Sequence, residues 1–198
     1  MRTPPQRIEW PTLALIVLCY SLWGLSIGLI AQLWLPAAIG LTALCAALHS
    51  SLQHEIIHGH PFRSARCNEA LVFPALGLMI PYRRFRDTHI AHHNDETLTD
   101  PYDDPETNYL DPKVWNAMPA PLKSVLRFNN TLIGRILIGP VVGQIIFVRN
   151  DGAAIFRGDR RALNGWLLHI PSVLTVLFLV HLSPMPVWAY LVSTYGAL

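Results

Sequence analysis

Two long stretches of this chain carry no charge at all, and nothing else in it restricts the fold as strongly. From Trp10 to Gln53 there is no Asp, Glu, Lys or Arg, a run of 44 residues; from Ala162 to Leu198 there is none either, a run of 37. All 13 acids and all 15 bases lie outside these runs. Only 14% of the chain is charged, where soluble domains carry roughly 25%. A helix that crosses the hydrocarbon core needs about 20 apolar residues. The first run therefore predicts two spans, about 12–30 and 35–51, with a tight turn at Gln32, Trp34 and Pro36. The second predicts one full span, about 163–182, a turn at Ser183-Pro184-Met185-Pro186, and a partial span over 186–198. The expected fold is all-α and integral to the membrane. It consists of two transmembrane helical hairpins, the fourth span incomplete, in a single domain over 1–198. A cytoplasmic and interfacial helical region, about 54–161, separates the hairpins.

The bases set the orientation. Arg2 and Arg7 precede span one, five arginines from Arg63 to Arg86 follow span two, and Arg149, Arg157, Arg160 and Arg161 precede span three. The turns near Gln32 and Pro184 carry none. By the positive-inside rule the N-terminus and the middle region face the cytoplasm. A signal peptide fits poorly, because the apolar stretch is too long and lacks a small-residue cleavage site. Leu132–Val148 carries Arg135 and Gln144 and has bases at both ends. It reads as an interfacial or re-entrant helix rather than a span. Glu69–Tyr82 is similarly too short to span. Cys19, Cys45 and Cys67 are odd in number and unevenly spaced, which fits free thiols. No basic tract suits nucleic acid.

Five of the nine histidines fall in two short clusters, His54-Glu-Ile-Ile-His58 and His89-Ile-Ala-His92-His93. Residues i and i+4 stand about 40° apart on one helix face, one turn from each other. Imidazoles so placed are metal ligands that suit iron, zinc and copper. His54, His58, His89, His92 and His93 are therefore the expected ligands. Span two should continue as a helix through His58 and end at Gly59 and Pro61. His60 sits in that exit, and its ligation is left open. His49, within span two, reads as a packing or hydrogen-bonding residue, and His169 and His181 read as structural. The acidic stretch from Asn94 to Glu106 reads as a solvated loop. Direct metal ligation is the alternative, as is a supporting role toward the histidines, accepting their free N–H groups.

These strings resemble the membrane-bound fatty acid desaturase and hydroxylase superfamily, whose hallmark is three histidine boxes. His54–His58 matches the first box and His89–His93 the second; the longer strings His54–Pro61 and Phe85–Asp104 look like bacterial members, and the resemblance covers about residues 10–198. It implies a cytoplasmic di-iron centre, two irons in the complete protein, with dioxygen as co-substrate. The implied reaction is desaturation of a fatty acyl chain, with hydroxylation of an acyl chain or a carotenoid as the alternative. The histidines would be the iron ligands, with no catalytic residue separate from them. Electrons would come from a ferredoxin, rubredoxin or cytochrome, since the sequence has no flavin or nicotinamide fingerprint. No third box follows His93. The chain therefore reads as truncated within its fourth span, and whether it is active and binds metal fully without a third box is left open.

His54-Glu55-Ile56-Ile57-His58 also matches H-E-x-x-H, the zinc metalloprotease pattern, with Glu55 as general base. That reading leaves the His89 cluster without a role. A histidine-rich transport protein would need polar groups lining the spans, and beyond Gln32, His49 and His169 the spans offer few.

Overall fold

The computed structural model describes residues 8–94, 100, 102 and 109–197. Among these residues every regular element is helical, in line with the all-α expectation. The chain divides into two compact units. The first comprises residues up to Arg84 together with those from Asn164 on, and the second runs from Phe85 to Leu163.

In the first unit, helix α1 runs from Trp10 to Leu33 and includes one π-helical turn at Ser26–Ile30. The chain breaks at Trp34, whose extended backbone (φ −157°, ψ 98°) precedes Leu35 and Pro36. Pro36 then lies in the first turn of α2, Leu35–Ile57, where its missing N–H costs nothing. Helix α1 thus begins before and ends after the expected 12–30, and α2 continues past the membrane run into the first histidine cluster. Together with the helix Arg160–His181, these are three helices long and apolar enough to cross a membrane. The segment after the Ser183–Pro186 turn forms a shorter helix, Val187–Gly196. Helix α2 packs against both α1 and Val187–Gly196. Ser26 and Thr42 let α1 and α2 approach closely: the Ser26 hydroxyl donates to the Ala38 carbonyl at 2.9 Å and lies 2.8 Å from Thr42 Oγ1.

The stretch Glu69–Tyr82 differs from the expected interfacial helix. Helix α3, Ala65–Val72, is capped by the Ser64 side chain and stops at Phe73. Phe73 itself keeps helical dihedrals (φ −65°, ψ −36°), but Pro74 has no N–H with which to continue the ladder, and the chain to Pro81 is irregular. Ala75, Leu76 and Leu78 in this irregular stretch are nonetheless buried. Irregular backbone among membrane helices must find hydrogen-bond partners within the protein, and here the helices supply them. Tyr20 donates to Leu71 O (2.8 Å), Gln53 to Val72 O (3.1 Å) and Ser172 to Phe73 O (2.8 Å). Tyr190 donates to Leu76 O (2.8 Å) and His169 to Leu78 O (2.8 Å). Ser172 also accepts from the Ala75 N–H at 2.9 Å. Leu78 sits at φ 61°, an uncommon position for a residue with a side chain. The apolar core gathers around this segment and includes Trp23, Leu52, Leu76, Val176, Met185 and Tyr190.

The second unit continues helix α4, Tyr82–His93, from Phe85 on. It then contains α5 (Pro112–Ala117), α6 (Ala120–Asn129), α7 (Leu132–Leu137) and α8 (Gly139–Phe156). The helix Arg160–His181, α9, begins here, and Val187–Gly196 is α10. The expected single helix over Leu132–Val148 is therefore two. The chain breaks at Ile138 (φ −125°, ψ −13°), and Pro140 occupies the first turn of the next helix, where proline is tolerated. Thr131 caps α7, accepting from Gly134 N–H at 3.0 Å. A Cβ on Gly134 would stand 1.8 Å from the Phe128 carbonyl, so that corner requires glycine.

Candidate metal centre

Helix α2 carries the first histidine pair on its last turns. With i, i+4 spacing the His54 and His58 rings meet, their centroids 4.8 Å apart and their planes at 64°. Both are half-buried, and each offers a ring nitrogen within 4.8 Å of the other's. His58 is the C-terminal cap of α2, and Gly59 follows at φ 99°, which ends the helix in a conformation that favours glycine.

In the second unit the late turns of α4 carry the other cluster. His89 is buried and His93 exposed. Their rings are 4.5 Å apart at 82°, and the two Nε2 atoms are 3.0 Å apart. Two nitrogens bound to one ion at about 2.1 Å and at right angles would lie roughly 3.0 Å apart, so this pair has the spacing of adjacent ligands. His92 stands off: its ring is 6.4 Å from that of His89 and 6.0 Å from that of His93. Phe85 lies one turn before His89, ring to ring at 5.8 Å. The donor set in each cluster is all imidazole, which suits iron, zinc and copper. The chemistry of each pair therefore suits a transition-metal ion, and His89–His93 has the spacing of adjacent ligands as well.

His60, whose ligation the sequence leaves open, is engaged elsewhere. Its Nδ1 is 2.5 Å from Glu9 Oε2 and its Nε2 is 3.5 Å from Glu55 Oε1. The Nδ1 contact is an ion-pair approach without hydrogen-bond angles. The three side chains form a group of their own with donor atoms within 4.8 Å. His49 is buried and lies 3.1 Å from the Tyr20 hydroxyl. Because that hydroxyl gives its one proton to Leu71 O, the His49 Nε2–H must donate to it. His169 serves the Leu78 carbonyl. The acidic stretch after His93 falls almost wholly outside the described residues.

Sequence reasoning passed over Glu9 and the polar residues serving 71–78. Their signal was present: Tyr20, Gln53, Ser172 and Tyr190 are polar groups inside or at the ends of runs otherwise fit for lipid.

No curated protein and no solved structure matches the chain. The family model described as fatty acid desaturase does match, over residues 29–198, which is well over half of the chain and includes both histidine clusters. This helical membrane protein belongs to the fatty acid desaturase family.

Proposed function

We propose that this chain is a lipid-modifying oxidoreductase that desaturates fatty acyl chains. The observation that carries the reading is the coincidence of the family match over 29–198 with two helix-borne histidine pairs. His54, His58, His89, His92 and His93 would hold iron, two ions in the complete protein, with His92 the least closely placed of the five. Bound iron would supply the capacity to use dioxygen and two electrons against an unactivated C–H bond. The balance is two hydrogens from adjacent methylenes, one dioxygen, two electrons and two protons giving one double bond and two waters. A ferredoxin, rubredoxin or cytochrome would supply the electrons. Hydroxylation of an acyl chain or carotenoid is the neighbouring outcome within the same superfamily.

The protein's own part is ligand placement. On α2 and α4 the helix backbone fixes the directions of His54, His89, His92 and His93, and His58 stands at the C-terminal cap of α2, so most of the ligands are presented with little freedom to lose on binding. Apolar groups on α6 to α8 are extensively exposed, Leu132 at 76% and Ile136 at 64%. Lys123, Arg127, Arg135 and Arg149 lie among them. This pattern suits a helix lying at the lipid headgroup boundary, on the cytoplasmic face by the positive-inside rule. The location would be a bacterial inner membrane.

The chain expressed in a bacterial host tests the reading through the host's lipids. New monounsaturated acyl chains that disappear with His89→Ala are the expected result; hydroxylated acyl chains would move the assignment to the hydroxylases. Unchanged lipids from an iron-loaded protein would contradict both. Glu55→Gln should leave metal content intact, whereas a protease with Glu55 as its base would lose activity.

A further inference from the structure

The contacts of His60 do more than remove it from the metal donors. A carboxylate faces each of its two ring nitrogens, Glu9 at one and Glu55 at the other. His60 itself is 8% exposed, so the imidazole is enclosed by this arrangement. Glu9 is held in turn: Thr12 Oγ1 donates to its Oε2 at 3.0 Å, and its own N–H donates to the Pro61 carbonyl at 3.1 Å. The following residue is fastened from the other side. The Asn68 side chain accepts from Phe62 N–H at 2.9 Å and donates to Phe62 O at 2.8 Å. Residues 60–62 are thereby pinned to the start of α1 and to α3. Only Gly59 lies between this pinned segment and His58, and Gly59 has no side chain with which to hold the backbone itself.

We infer that Glu9 and His60 are positioning residues for His58. They fix the exit of the chain from α2 and with it the direction in which His58 presents its ring. The inference rests on the reading of His58 as a metal ligand. It assigns the beginning of α1, 45 residues upstream of the first box (Glu9 to His54), a role in metal binding. Residues that orient a ligand commonly change metal affinity by about 10- to 100-fold when removed.

The test uses the whole chain in lipid nanodiscs with Glu9→Gln, His60→Gln and the conservative Glu9→Asp. Two readouts are taken: amide exchange in the metal-free protein, and cobalt(II) binding followed through its ligand-field spectrum. In Glu9→Gln and His60→Gln, amide exchange at residues 58–60, at Phe62 and at position 9 should rise several-fold. Cobalt affinity should fall by about 10- to 100-fold with a shifted spectrum, and Glu9→Asp should recover part of both. Unchanged exchange would overturn the clasp itself. Faster exchange with unchanged cobalt binding, while His58→Ala abolishes binding, would overturn the positioning role. Should His58→Ala leave cobalt binding intact, the metal reading fails and the positioning role falls with it, even where exchange shows the clasp. One cobalt retained in His58→Ala but lost in Glu9→Gln would make Glu9, Glu55 and His60 a cation site in their own right and overturn the inference.

Discussion

In the first unit, five side chains reach out of the helices α1, α2, α9 and α10 to the backbone carbonyls of 71–78. In the second unit, the buried residues among those described are His89, Gly134, Asp151 and Ala162. The first unit also contains every member of the apolar core. The second exposes most of its large apolar side chains, Phe156 at 93%, around an open groove lined by Val125, Phe128, Val141 and Ile145. Both are rich in apolar residues, yet only the first encloses them around a polar framework. The difference teaches what each kind of helix needs. Bundled membrane helices gain little by burying apolar groups that lipid would solvate equally well, so their hydrogen bonds set the arrangement. Short amphipathic helices bury one face only if something outside the unit covers it.

The comparison would break first at Tyr190 or Ser172. Tyr190→Phe removes the donor to Leu76 O and the acceptor for Trp23 Nε1, which lies 3.1 Å away. Ser172→Ala removes the donor to Phe73 O and the acceptor for Ala75 N–H. Each change leaves two buried groups without partners, at about 1–3 kcal/mol per group. Thermal unfolding in detergent should show both variants losing several degrees or more. Wild-type stability in either would mean that the hydrogen bonds do not hold the irregular segment.

A smaller loss is expected at the tight corner that Gly134 makes in the second unit. Gly134→Ala forces the Phe128 carbonyl to move, and overpacking of this kind costs about 1–3 kcal/mol. Loss of helicity on circular dichroism, confined to a few residues, would fit; an unchanged spectrum and unfolding curve would show that the corner has slack. The smallest effect should follow Ile136→Ser. Its side chain is 64% exposed, and exposed substitutions stay within about 0.5 kcal/mol in detergent. A large destabilisation there would show that α7 is covered by protein and not by lipid, and the contrast between the units would weaken.

The charge-free runs made the membrane helices legible, because excluding every charged residue over 44 positions is a demand that lipid makes and water does not. The spacing of His54 and His58 was equally plain, since a continuing helix leaves the i, i+4 geometry no freedom. The breaks at Phe73 and Ile138 were harder to place. Leu71–Ile80 and Leu132–Val148 have the apolar content of helices, and in each a proline one or two residues on outweighs that content. The partners of the carbonyls of 71–78 come from positions as distant as Tyr20 and Tyr190, and no local pattern encodes such pairing. His60 shared the neighbourhood and chemistry of the box histidines. Its direction depends on Glu9, which lies outside any window drawn around the motif.

Metal analysis of the purified chain tests the central claim most directly, comparing the wild type with His54→Ala and His89→Ala. Each variant removes one histidine from a different pair. The account expects iron to co-purify with the wild type and to fall sharply in both variants. Zinc in place of iron, or iron unchanged when either pair is broken, would contradict it.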